Sequence, residues 1–204
     1  MKKLHNRHDK SIKFKFKRCG LKIHNCLFNT ECEKIEFKDT AEAETGKQKD
    51  LLYKTDGKDA FHAEGQSTPI TEPDVGRFYH YYLQALCDKS NDITILNSYC
   101  ISTAKPQEDY YEYKEDNITF RLPVFYTKNI DGTKVLSTLK NKVDKQEELT
   151  DNDQAMLLFL ADMDIDIPIK KLMTEIGYIT THANVPPEDR RSASLSHPRT
   201  EKIF

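Results

Sequence analysis

The sequence predicts an α/β protein in which a mixed β-sheet is followed by a helical C-terminal part. Three observations predict this class. A hairpin signal, "DLLYKTDGKDAFHAEGQ", occupies residues 50–66. An amphipathic stretch and a β-branched run follow it, and from about residue 132 the apolar residues recur at helical rather than strand spacing. Strands first and helices last favour a sheet-based core with a helical appendage.

Length and composition narrow the class of protein further. The 204 residues are enough for one sizeable core, and the net charge of −2 does not by itself indicate a nucleic-acid partner. The five cysteines are odd in number and form no Cys-x-x-Cys pair, which predicts reduced thiols in the cytoplasm. No apolar run approaches the about 20 residues of a membrane span. We therefore expect a soluble cytoplasmic protein without a membrane partner.

The N-terminal segment, residues 1–35, is strongly basic. Its first 24 residues carry nine Lys or Arg against one acid, Asp9. Within it, "KFKFKR" alternates basic and apolar residues, as a short edge strand or an arm does. Two interpretations stay open: a solvated, partly disordered terminus, or an arm that contacts phosphates.

The hairpin itself is predicted by its turn. A short strand begins near residues 35–37, and a polar loop separates it from the two β-prone runs. Asp56-Gly57 joins those runs, and Asp-Gly between β-prone segments is a strong hairpin signal.

A helix and three strands are predicted after the hairpin. Asp74 is a plausible N-cap, and the apolar residues that follow it at helical spacing are Val75, Phe78, Tyr82 and Leu86. The β-branched run "DITILNSYCIST" predicts a buried strand. Two further strands fall in "KPQEDYYEY" and "NITFRLPVFYT", and Pro123 suggests an edge or a bulge in the second.

The region 129–182 has a helical pattern. Thr150 is a good N-cap, with Asp153 three residues further on as in a capping box. The apolar stripe formed by Met156, Leu157, Leu160 and Met163 predicts core packing. Residues 183–204 are polar and contain proline, which predicts a disordered tail.

The candidate functional residues of the hairpin lie at its open end. Asp50 precedes the first strand, and Glu64 and Gln66 end the second. Strand residues two apart share a face, so Glu64 and Gln66 share one, and Asp50 can share it too, depending on register. Two carboxylates and an amide suit a hard cation such as Mg²⁺. The alternative is a polar hairpin on a solvated surface.

The ordered series of motifs resembles a known family. The hairpin, the following "VGRFYHYYLQAL" and the later "FRLPVFYTKNIDG" resemble the PD-(D/E)XK nuclease superfamily, and within it the recombination-promoting nuclease and putative transposase (Rpn) family. The resemblance covers about residues 36–186. It implies a restriction-endonuclease-like core at residues 36–128 and a magnesium-dependent DNA endonuclease associated with mobile elements.

The resemblance also implies roles for the hairpin residues. Asp50 and Glu64 match the acids that bind Mg²⁺ or Mn²⁺, and Gln66 stands at the position of the superfamily lysine. Glutamine is neutral and cannot supply the charge of that lysine. Lys54 or Lys49 could supply it from nearby, and Lys49 also departs from the proline that usually precedes the first acid.

Supporting residues are expected around this set. Glu44 or Glu42 could be the extra acid that the family carries upstream, although little helical pattern follows the family-like start "RHDKSIKFKF". Arg77, one turn into the helix, could reach a phosphate or the active-site acids. His62 alternates with Glu64 and is interpreted as a single polar strand residue.

Three functions remain open from the sequence. The first is an endonuclease acting on DNA, for which double-strand cleavage favours a homodimer because each site cuts one strand. The second is a catalytically degenerate relative that binds nucleic acid or a protein. The third is an α/β interaction module whose acids are surface residues.

Overall fold

A computed structural model describes residues 2–38, 51–56, 59–88 and 92–183 of the chain, with side chains from residue 11 onward. It confirms an α/β protein with a mixed sheet. The strands are β1 (Ile35–Lys38), β2 (Leu51–Thr55), β3 (Asp59–Gln66), β4 (Ile95–Ser102), β5 (Tyr110–Glu115) and β6 (Ile118–Tyr126). The helices are α1 (Lys2–Phe28), α2 (Glu72–Cys87), α3 (Gly132–Asp144), α4 (Asp151–Phe159) and α5 (Ile169–His182).

The six strands form one sheet in the order β1-β2-β3-β4-β6-β5. Neighbours are antiparallel in the pairs β1–β2, β2–β3 and β5–β6, and parallel in β3–β4 and β4–β6. Parallel neighbours need a crossover connection, and α2 supplies the one between β3 and β4. The carboxyl ends of β3 and β4 therefore lie side by side.

The predicted hairpin is confirmed by the antiparallel pairing of β2 with β3, which runs from Leu51 opposite Ala63 to Lys54 opposite Ala60. Asp56 does more than begin the turn. Its carboxylate accepts hydrogen bonds from the backbone N–H groups of Glu33 and Lys34, both at 2.9 Å. The Cys32 thiol also donates to it, and these hydrogen bonds hold the pKa of Asp56 well below its usual range. Asp56 thus anchors the segment that leads into β1.

Helix α2 begins earlier than the sequence predicts. Its N-cap is Thr71 rather than Asp74, and the Thr71 backbone N–H donates to the Asp74 carboxylate at 3.0 Å. Pro73 falls in the first turn, where its missing N–H has no intrahelical partner to lose. Val75 is buried as predicted, whereas Leu86 is 38% exposed.

Strand β6 is interior to the sheet, so the prediction of an edge strand at Pro123 is wrong. The ladder with β5 ends where Tyr110 pairs with Pro123, and the ladder with β4 begins at Val124. Pro123 lacks a backbone N–H. It lies at the point where the pairing of β6 changes from β5 to β4.

Alternate residues of β6 supply one side of the core beneath α2. Phe120, Leu122, Val124 and Tyr126 are buried, as the two-residue period of a strand requires. They cluster with residues of α2, among them Phe78 and Tyr79. Tyr79 is only 1% exposed, although it does not belong to the predicted apolar face of the helix.

The basic N-terminal segment is a helix, so the prediction of a short edge strand is wrong there. Contact of this segment with phosphates stays a prediction. Residues 2–28 form α1, and Ile12, Phe16, Cys19 and Ile23 are at most 3% exposed. Their spacing of four, three and four residues is helical. This longer period outweighs the local alternation of "KFKFKR".

Helix α4 begins as predicted. Thr150 is its N-cap, its hydroxyl accepts from the Asp153 backbone N–H at 3.2 Å, and Asp153 accepts from the Thr150 backbone N–H at 2.9 Å. In the predicted apolar stripe, Leu157, Leu160 and Met163 are buried.

Two compact units divide the described chain. One comprises Cys32–Tyr126, and the other combines the described parts of Met1–Glu31 and Thr127–Phe204. The sequence predicts a separate segment at 1–35, a core at 36–128 and a helical region at 129–182. The predicted tail lies outside the described residues from residue 184 onward. Of the described helices, none has the length and apolarity to cross a bilayer.

Candidate functional site

A row of buried polar side chains occupies one face of β3. His62, Glu64 and Gln66 are 1%, 2% and 8% exposed. Because successive strand residues alternate between faces, these three share a face, as the sequence predicts for Glu64 and Gln66. Burial of a carboxylate is costly unless polar groups surround it, so the neighbours of Glu64 are central to the site.

His62 connects the row to the neighbouring strand. Its Nε2 lies 2.9 Å from Oε1 of Glu64, at hydrogen-bonding distance but without the alignment of a hydrogen bond. Its Nδ1 lies 3.0 Å from the hydroxyl of Ser98, which pairs with His62 in the parallel register of β3 and β4. The imidazole thus joins a hydroxyl on β4 to a carboxylate on β3.

Gln66 ends the row at the carboxyl end of β3. Its side-chain N–H donates to the Thr68 hydroxyl at 3.0 Å, and its backbone carbonyl accepts from the Thr103 N–H at 3.0 Å. The bond to Thr68 orients the amide, whose carbonyl oxygen is an acceptor for a water or a ligand to a cation.

Several predicted site residues lie outside the described residues. They are Glu42, Glu44, Lys49 and Asp50. The described register of the hairpin ends at Leu51 opposite Ala63, and Glu64 is the next residue of β3. The role of Asp50 as partner of Glu64 stays a prediction.

The structure places Lys54 away from Glu64. Lys54 is opposite Ala60, four residues before Glu64, which corresponds to about 13 Å along a strand. Its ammonium lies 3.4 Å from the Asp92 carboxylate and donates to the Asp92 backbone carbonyl. The contacts of Lys54 therefore lie at the turn end of the hairpin, away from Glu64.

Arg77 lies on the first turns of α2. Its guanidinium is 3.3 Å from the Asp74 carboxylate and 4.9 Å from the centre of the Phe78 ring. The side chain is 42% exposed, so it can also meet a phosphate from solvent. The role predicted for Arg77, contact with a phosphate or with the active-site acids, stays a prediction.

The donors at the end of β3 suit a hard divalent cation. A carboxylate from Glu64 and an amide oxygen from Gln66 are oxygen ligands of the kind Mg²⁺ prefers. Among the described residues, no group of three or more His, Cys, Asp or Glu side chains is arranged to hold a metal ion. A complete ligand set therefore needs a second acid, and the sequence prediction supplies Asp50.

Ser98 is absent from the site that the sequence predicts, and His62 is predicted only as a single polar strand residue. The two residues are 36 positions apart in the chain, and the parallel register of β3 with β4 brings them together. No local spacing signals such a pair. A polar residue in the β-branched run "DITILNSYCIST" was the one available hint.

Comparison with known proteins returns no relative: no family model, no curated protein and no solved structure matches this chain.

Proposed function

We propose that this protein is a metal-dependent DNA endonuclease of the PD-(D/E)XK class, with a restriction-endonuclease-like core and a role in mobile-element recombination. The observation that carries the proposal is the buried row at the end of β3, in which Glu64 and Gln66 share a face. An antiparallel hairpin, a helix and a parallel strand surround this row, in keeping with the resemblance.

In this proposal Asp50 and Glu64 hold Mg²⁺ or Mn²⁺. When bound, the cation supplies Lewis-acid stabilisation to the phosphodiester. Gln66 orients the attacking water through its amide oxygen, but it adds no positive charge. Lys54 contacts Asp92, so we assign the positive charge in this proposal to Lys49, the other lysine that the sequence prediction names.

DNA is the proposed partner. Helix α1 presents cations to solvent: Lys17 and Arg18 are exposed and Lys13 is half-buried. Such cations bind phosphates without reading sequence, so binding should weaken as salt increases. Double-strand cleavage would use a homodimer. The five cysteine thiols accord with a cytoplasmic location.

A second function is favoured by two observations. Glu64 is only 2% exposed and already contacts His62. Gln66 is neutral, and it stands where the resemblance implies a lysine. Both fit a catalytically degenerate nuclease fold that binds nucleic acid or a protein partner.

Plasmid nicking distinguishes the two functions. We expect Mg²⁺-dependent nicking by the wild type, its loss in Asp50→Ala and Glu64→Gln, and its retention in Asp59→Asn. Asp59 is the matched control because it is an acid at the opposite end of the same strand. Equal nicking by wild type and the two site variants would exclude the catalytic assignment. DNA retention on a filter without nicking by any variant would support the degenerate relative.

A further inference from the structure

The contacts of His62 define which of its ring nitrogens carries the proton. An ionised carboxylate has no proton to donate, so the approach of Nε2 to Oε1 of Glu64 at 2.9 Å is favourable when Nε2 bears the proton, although the two groups are not aligned as a hydrogen bond. In the neutral ring Nδ1 is then an acceptor, and the Ser98 hydroxyl at 3.0 Å is its donor. Ser98 thereby selects the tautomer that is compatible with Glu64.

The imidazole and its partner Ser98 both lie on interior strands of the sheet. His62 and Ser98 are paired residues of neighbouring parallel strands, and β3 lies between β2 and β4 within the sheet. His62 is 1% exposed, so its ring has little room to turn. A glutamate side chain has three rotatable bonds, and a fixed imidazole at 2.9 Å restricts where its carboxylate can lie.

We infer that His62, held by Ser98, is a positioning residue that orients the Glu64 carboxylate for a divalent cation. This rests on the proposed function, because it gives Glu64 the role of ligand. Groups that orient a ligand typically change metal affinity on the order of 10- to 100-fold when removed. Ser98 thereby acts on the cation site indirectly, through its contact with His62.

Manganese binding by the full-length protein tests the inference without any cleavage assay. Free Mn²⁺ is measured by electron paramagnetic resonance during titration of the protein. Ser98→Ala removes the hydroxyl and should weaken Mn²⁺ binding on the order of tenfold, whereas Ser98→Thr keeps the hydroxyl and should restore it. Tyr99→Phe is the matched control, because it removes a buried hydroxyl from the adjacent residue on the opposite face of β4.

The nitrogen chemical shifts of the His62 ring give an independent readout in the metal-free protein. We expect protonated Nε2 in the wild type and in Ser98→Thr, and a changed Nδ1 shift in Ser98→Ala. His62 protonated at Nδ1, or equal Mn²⁺ affinity of wild type and Ser98→Ala, would overturn the positioning role while leaving the nuclease proposal intact. Absence of Mn²⁺ binding by the wild type would overturn both.

Discussion

Tyr53 and Tyr99 share a hydrogen bond of 2.8 Å between their hydroxyl groups, and both rings are at most 1% exposed. Lys15, with an exposure of 0%, is 2.6 Å from the Asp162 carboxylate. At the scale of the residue, these four buried polar side chains are therefore matched in two pairs. An unmatched buried hydroxyl or charge costs far more than an exposed one, so these pairs constrain which substitutions the fold tolerates.

The tyrosine pair predicts a loss of stability at high pH. Burial raises the pKa of Tyr99 well above its ordinary value, and burial also raises that of Tyr53, although the hydrogen bond from Tyr99 opposes this. The unfolded chain releases these protons near pH 10 while the native protein retains them, so the free energy of unfolding falls above about pH 10. Urea unfolding at pH 9 and pH 11 should show this fall, and Tyr53→Phe/Tyr99→Phe should reduce it. Tyr110→Phe, which alters an exposed ring, should leave the fall unchanged.

The Lys15–Asp162 pair predicts a large effect of removing one charge. Lys15→Met retains the apolar stem but leaves Asp162 buried without its cation, at a cost of about 3–5 kcal/mol in the free energy of unfolding. Lys15→Met/Asp162→Leu should recover much of that loss. Lys114→Met is the control: its partner Glu112 lies 3.5 Å away and the two side chains are 69% and 39% exposed, so about 1 kcal/mol or less is expected from that ion pair. Equal losses for Lys15→Met and Lys114→Met would contradict the prediction.

At the scale of the element, helix ends are determined by side chains close in sequence. Thr150 and Asp153 begin α4 by exchanging hydrogen bonds, and Asp131 begins α3 by accepting from the Lys134 N–H at 2.9 Å. Burial raises the pKa of Asp153, but hydrogen bonds from Lys142 and Thr150 more than offset this and lower it overall. The start of α3 also carries a tight backbone approach, since the Gly132 N–H donates to the Asp164 carbonyl at 2.7 Å.

Two glycines should respond oppositely to alanine. A Cβ at Gly132 would lie 2.9 Å from the Asp164 carbonyl oxygen, so Gly132→Ala should destabilise the protein by about 1–3 kcal/mol. Gly177, within α5, has open space at that position, and Gly177→Ala should stabilise by about 0.5–1 kcal/mol through helix propensity. Thermal unfolding of both variants measures the difference. If Gly132→Ala stabilises the protein, the prediction is contradicted, because the Asp164 backbone must then move aside at little cost in free energy.

At the scale of the whole molecule, segments that are far apart in the sequence pack together. The described parts of Met1–Glu31 and of Thr127–Phe204 form one compact unit, although the 95 residues of Cys32–Tyr126 separate them in sequence. Helix α1 contacts α4 in that unit, and the Lys15–Asp162 ion pair spans 147 positions. The C-terminal helices therefore depend on the N-terminal helix for part of their core.

A cavity in α1 should reveal this dependence. Phe16 is 0% exposed, so Phe16→Ala should cost about 3–5 kcal/mol and should increase proteolysis within the C-terminal helices. Phe14 is only half-buried, and Phe14→Ala should cost less. Mass spectrometry of early proteolytic fragments locates the cleavage. Early cleavage confined to the first 31 residues would show that the C-terminal helices hold together without α1.

The sequence predicted the local structure correctly where residues close together in the chain determine it. The Asp-Gly turn predicted the β2–β3 hairpin, and Thr150 with Asp153 predicted the start of α4, since both signals act over a few residues. The strand assignment of "KFKFKR" was wrong because a buried helical face over residues 12–23 competes with a six-residue alternation. At the site, the shared face of Glu64 and Gln66 followed from strand periodicity, and Asp50 stays a prediction.

The sequence by itself determined the α/β class, the hairpin and the face that Glu64 and Gln66 share, because these depend on turn chemistry and on a two-residue period. Only the tertiary structure decided that Ser98 lies against His62, that Lys54 contacts Asp92, and that α1 joins the C-terminal helices. The physical reason is that strand register and helix packing depend on the free energy of many distant contacts together, which no short stretch of sequence encodes.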